Sequence, residues 1–158
     1  MNTIFDNEEY RTMSEHYRNL GGEKPTFTKF LEFTIDSPDL DHPHLTIKMR
    51  DELVGNPVFR TLHGGVIASI LDVIGGHAVF MSVFKQLRGQ SLEKKIKRIS
   101  KIGSIDLRID YLRPGTGKIF TASASILRTG NKVAVVRMEL NNDKDELIAL
   151  GTGSYTVG

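Results

Sequence analysis

The chain of 158 residues has no cysteine, which excludes disulfides, thiolate nucleophiles and thiolate metal sites. It has no apolar h-region near its start, where MNTIFDNEEYRTMSEHYR is polar, so no secretory signal is expected and a cytoplasmic location is the simplest reading. No apolar run looks long enough to span a membrane, because charges or glycines interrupt each candidate. There is no internal repeat, low-complexity tract or Pro/Ser linker, so one domain over residues 1–158 is expected, with an N-terminal helical extension at about 6–22. Clustered metal ligands are also missing. His42 and His44 stand near Asp39 and Asp41, but His-Pro-His in a polar loop without further ligands does not make a site, and no metal is expected. Net charge is only +2, too little for a nucleic-acid-coating surface.

What is present is the profile of a globular domain, with 39% hydrophobic and 25% charged residues and enough length for a substantial core. Charge is uneven. Glu93 to Lys101 (EKKIKRISK) holds five basic residues against one acid and could meet a phosphorylated small molecule.

The periodicities divide the chain. Asp6 can cap a first helix with Glu9 at the third position; Tyr10, Met13, Tyr17 and Leu20 form its apolar stripe, and Gly21-Gly22 ends it. Residues 26–35 and 45–49 read as short strands around a polar loop, and Asn56-Pro57 marks a turn. A long helix then runs to about Lys85. Beyond it the period falls to two: in SIDLRIDYLRPG, Ile105, Leu107, Ile109 and Tyr111 share one face. Strands at 119–128, 133–140 and 147–157 follow, joined by a Gly130-Asn131 turn and a hairpin at 141–145. One long helix against an antiparallel meander is an α+β architecture.

The helix begins LHGGVIASILDVIGGHAV. Wound at about 100° per residue, it gathers Gly65, Ala68, Ser69, Gly75, Gly76 and Val79 around the lone carboxylate of Asp72. Val66, Ile67, Ile70, Ile74, His77 and Met81 fall on the opposite arc. Each mid-helix glycine costs about 1 kcal/mol against alanine, so something must approach that face closely, be it ligand, partner helix or both. His77, on the greasy arc, reads as a core histidine.

Several of these pieces together resemble the hot-dog-fold acyl-CoA thioesterases of the phenylacetate-pathway (PaaI-like) branch. They are His63-Gly64-Gly65, Asp72 nine positions after the histidine, SIDLRIDYLRPG, RTGNKVAVVRMEL and the final IALGTGSYTV. The resemblance covers roughly residues 56–157. It implies a hot-dog fold, in which one long central helix is wrapped by a curved antiparallel sheet, and a homodimer or homotetramer with active sites at the dimer interface. The substrate would be an aryl or medium-chain acyl-CoA, hydrolysed without a cofactor, a nucleic acid or a membrane. His63 and Gly64 would come from one subunit, Asp72 and Ser104 from the other. Two departures stand out. Asn56 is the candidate for an amide that orients thioester or water, but its spacing to the histidine is about one residue longer than in the family. The segment 86–103 is also longer than in compact members.

Helix N-terminal N–H groups are unpaired and sit at the positive end of the dipole, so those of Gly64 and Gly65 suit a developing oxyanion. Asp72 can act as general base toward water or attack the thioester directly. Ser104 can hydrogen-bond the water, His63 orients the helix start, Ser69 lies on the substrate-facing side, and Arg98 and Lys101 are phosphate candidates by charge. Two other functions fit the same pieces. One is a non-catalytic acyl-CoA-sensing dimer; the other is a hot-dog hydratase or dehydratase, whose histidine–carboxylate context is missing here.

Overall fold

Thr26, the residue expected to open a strand, instead caps a short helix in the computed structural model, which describes residues 8–19, 26–35 and 42–158. In chain order the helices and strands are α1 (Glu8–Asn19), α2 (Phe27–Leu31), β1 (Thr34–Ile35), β2 (His44–Lys48), β3 (Val54–Asn56) and β4 (Thr61–Leu62). They continue with α3 (Gly64–Gln86), α4 (Leu92–Ile99), β5 (Ser104–Tyr111), β6 (Ile119–Thr129), β7 (Val133–Asn142) and β8 (Leu147–Thr156). The strand expected over 26–35 shrinks to Thr34–Ile35 because the Thr26 hydroxyl accepts from Lys29 N–H and starts a helical turn, which Glu32 closes in the left-handed conformation at φ 51°. The other expected strands form with bounds shifted by a residue or two, β7 running on through Asn142.

Six strands make one antiparallel sheet in the order β1-β2-β6-β7-β8-β5, and β3 and β4 form a separate short ribbon. With 23 residues α3 is about 34 Å long, and it lies across the concave side over β6, β7 and β8. Alternation along β7 turns Ala134, Val136, Met138 and Leu140 inward, into one buried core cluster with Ile67, Ile70, Leu71 and Ile74 of the helix. A helix wrapped by a curved sheet is the hot-dog fold expected from the resemblance.

By length and composition α3 could cross a membrane, contrary to the expectation that charges and glycines break every such run. Asp72 is its one acid, and its four glycines lower its hydropathy too little. Half of its most apolar stretch is nevertheless buried in the fold, as suits a core helix.

α1 lies within the expected 6–22 helix, while Asp6, Leu20, Gly21 and Gly22 fall outside the described residues. Tyr10 meets Phe80 and Phe84 edge-on, each at 6.1 Å. The Glu9 carboxylate, expected to reach back to its own helix start, is bonded to Lys95 of α4. Lys95 is buried, with its ammonium 5.1 Å from the Phe84 ring centre. The 86–103 segment thus forms a helix, and one of its basic residues is internal.

Candidate active site

The open groove beside Asp72 owes its shape to an irregularity in β5. Ser104 pairs with Tyr155 and Asp106 with Ser154, so Ile105 is an extra residue in the edge strand. The Asp106 carboxylate stitches the bulge by accepting from Ser154 N–H at 3.0 Å. This sets the Ser104 hydroxyl against the middle of α3, where it donates to Asp72 Oδ1 at 2.7 Å. The groove, of about 380 Å³, lies between Ala68, Ser69 and Asp72 of the helix and residues 104–107 of the strand. Ile105 is exposed beside it, and Tyr111 is too, so the expected apolar face of β5 packs inward only at Leu107 and Ile109.

A second hydroxyl reaches the same carboxylate. Tyr155 of β8 is 1% exposed, and its Oη lies 3.2 Å from Asp72 Oδ1, 3.3 Å from the Asp72 carbonyl oxygen and 3.6 Å from Met138 Sδ. Burial first, and the Asp72 charge second, push the phenol well above its ordinary pKa, so it keeps its proton and donates. Among the described residues no hydrogen bond reaches Asp72 Oδ2. Tyr155 was not singled out in the sequence. A signal existed: Gly75 on the helix and Gly151 and Gly153 at alternate positions before Tyr155 all make room in this layer.

The small face of α3 therefore serves two neighbours. Gly75 and Val79 are buried against the sheet; Ala68, Ser69, Asp72 and Gly76 are half-buried. Ser69 donates its hydroxyl to Gly65 O at 2.7 Å and keeps its lone pairs. His77 stacks on Phe80 at 5.9 Å, and burial lowers its pKa to about 4, so it is neutral, as a core histidine would be.

The start of α3 forms a separate cluster. His63 is the N-cap, and its Nδ1 accepts from Gly65 N–H at 2.9 Å. That bond removes Gly65 as an oxyanion donor in this conformation. Gly64 N–H has no acceptor among the described residues, while its carbonyl accepts from the Tyr111 hydroxyl at 3.0 Å. Gly55 lets the ribbon run against this turn, since a Cβ there would sit 2.6 Å from His63 Cα. Asn56 Oδ1 accepts from Val58 and Phe59 N–H at 3.0 and 3.3 Å, and so shapes the turn.

Within one chain the clusters stay apart: eight helical residues from Gly64 to Asp72 span about 12 Å. Arg98 donates to Val157 O at 2.9 Å and to Asn131 O at 3.2 Å, and so ties α4 to the end of β8. Lys101 is exposed, three residues before Ser104. His44 lies in β2, and Asp39 and Asp41 fall outside the described residues.

The family model of the thioesterase superfamily matches residues 59–149, which includes His63, Gly64, Asp72 and Ser104 but not Tyr155. The medium/long-chain acyl-CoA thioesterase YigI of Escherichia coli K12 is 43% identical over 132 residues, covering 84% of this chain and 85% of that protein. A crystal structure from Shewanella oneidensis, of a protein related to the thioesterase superfamily, superposes with a TM-score of 0.85 at 39% identity, covering 95% of this chain and 97% of that one. The thioesterase HI1161 of Haemophilus influenzae shares the fold at a TM-score of 0.69 and 18% identity, covering 90% of this chain and 87% of that one. By sequence and by fold together, this chain belongs to the thioesterase superfamily.

Proposed function

We propose that this protein is a thioester hydrolase acting on acyl-CoA, with medium or long acyl chains as the preferred substrates, and that each active site is shared by two copies of the chain. The acyl-CoA substrate is supported by the 43% identity to YigI over most of both chains. The helix itself supports the shared site. A carbonyl carbon and its oxygen are separated by one bond, so a base and an oxyanion donor about 12 Å apart on one helix cannot serve the same thioester. A second copy related by two-fold symmetry brings its Gly64 to the first copy's Asp72.

In this reading the Gly64 N–H of one copy, at the positive end of α3, stabilises the oxyanion as water adds to the carbonyl. Asp72 of the other copy takes the proton of that water, and the acid and free coenzyme A leave. Direct attack by the carboxylate, followed by hydrolysis of the anhydride, uses the same geometry. Neither route calls on a metal or an organic cofactor. His63 holds the helix start through Gly65, and Ser69 lines the groove where the acyl thioester enters. The protein would work in the cytoplasm as a homodimer or a pair of dimers.

The observation that carries the reading is the Asp72–Ser104 pair, 2.7 Å apart, on the wall of an open groove. Thiol release from a panel of acyl-CoA esters tests it. Turnover is expected for the native protein, and a loss of at least about 100-fold for Asp72→Ala, the span of a general acid–base group. Full turnover by that variant sinks the mechanism. Tight binding of acyl-CoA with no release of thiol would favour a sensor instead.

A further inference from the structure

We propose that Tyr155 is a positioning residue for Asp72: its hydroxyl and that of Ser104 together hold Oδ1, so that Oδ2 is the oxygen presented to the thioester. The proposal rests on the hydrolase reading above and adds which carboxylate oxygen acts and what aims it.

Three observations carry it. The two donors come from different strands, β5 and β8, yet converge on one oxygen at 2.7 and 3.2 Å. A carboxylate held at one oxygen by two donors cannot rotate about its Cβ–Cγ bond without breaking both bonds. Second, the hydroxyl's other neighbours are poorer acceptors, a thioether at 3.6 Å and a helix carbonyl at 3.3 Å. A bond to an ionised carboxylate is the strongest of the three. Third, the fold gives up side chains to place this ring. A Cβ on Gly75 would lie 2.2 Å from Tyr155 Oη, and one on Gly153 would lie 3.0 Å from Tyr155 Cε2. Phenylalanine would fill the same volume, so the hydroxyl is what the packing alone leaves unexplained.

During turnover both hydroxyls keep their protons. The proton from water goes to Oδ2 and leaves with the thiolate; alternatively the new bond to the acyl carbon forms at Oδ2 as the C–S bond breaks and the thiolate leaves, and water then hydrolyses the anhydride.

The test is a pair of variants and their combination. Tyr155→Phe is expected to lower kcat about tenfold with KM unchanged within about twofold, the cost of one charge-assisted hydrogen bond that acts on the reacting group. In Asp72→Asn the ionised carboxylate is gone, so adding Tyr155→Phe should slow the residual rate no further. A native kcat for Tyr155→Phe overturns the proposal, as does an equal further loss on the Asp72→Asn background, which would mean that Tyr155 acts through packing. A Tyr155→Phe protein that fails to fold overturns it too, because the hydroxyl would then be a stability element. Native turnover by Asp72→Asn alone marks a different failure, that of Asp72 as the reacting group, and absence of turnover by the native protein is the failure of the hydrolase reading itself.

Discussion

A Cβ on Gly75 would clash with the Tyr155 hydroxyl at 2.2 Å and with Met138 Sδ at 2.5 Å, whereas one on Gly76 meets only Tyr155 Cε1, at 3.9 Å. Adjacent glycines in one helix turn thus have separate causes. Gly75→Ala should lower the free energy of unfolding in urea by about 1–3 kcal/mol through overpacking. Gly76→Ala should leave it unchanged or raise it by up to about 1 kcal/mol, the helix-propensity gain. Loss of stability in the second variant would mean that a partner copy presses on Gly76. His77 gives a pH signature. Its folded pKa, about 4, lies below the ordinary 6.5, so the unfolded chain binds the extra proton between these values. The stability of the neutral histidine is therefore present above pH 6.5 and drains away as pH falls toward 4, by roughly 3 kcal/mol in all. His77→Leu should flatten that limb in urea melts taken across the range; an unchanged limb would refute this origin. Asp72 and its small surroundings were legible in the sequence because helical spacing is local. Tyr155 was not, because the bond that matters joins residues 83 positions apart, and a strand tyrosine ordinarily reads as core.

At the scale of elements, α4 shows that a charge pattern does not say which charges are already engaged in the fold. Its basic run looked suited to the phosphates of coenzyme A, but Lys95 is buried on Glu9 and Arg98 is committed to two backbone carbonyls. Arg98→Ala should therefore cost about 1–3 kcal/mol in thermal or urea melts, with KM for acyl-CoA little changed. Lys101→Ala should do the reverse, raising KM for acyl-CoA but not for an acyl-pantetheine that lacks the nucleotide. A rise in KM for Arg98→Ala at native stability would restore it as a phosphate contact. The same scale explains what the sequence could not place. Phe27, Phe30 and Leu31 fit a short helix as well as a strand, and Thr26 decides between them through one side-chain bond. The β5 bulge is likewise invisible to a period-two reading, since it depends on Asp106 finding Ser154 in another strand. Long elements were readable because their period repeats often enough to outvote such local events.

For the whole molecule, the 12 Å between the two clusters makes a composite site testable by mixing. Gly64 is the first helical residue, where proline is tolerated, and the extended ψ of 136° at His63 is what a residue before proline prefers. Gly64→Pro should thus remove the N–H and abolish turnover while the fold survives. Unfolded and refolded together, Gly64→Pro and Asp72→Ala should recover about a quarter of native activity, because half of the pairs are mixed and each mixed pair has one intact site. No recovery would place the whole site within one copy. Among the described residues the sheet offers such pairs one route. One margin is β1, just two residues long; the other is β5, eight residues long with its own Ile105 and Tyr111 exposed. An open strand of that length invites another strand, and a two-residue strand gives little to grip. If two copies joined through β5, each would spend the only usable margin among the described residues. Growth would then stop by itself, and the ribbon-like polymerisation that threatens exposed sheet proteins would have no second end from which to propagate.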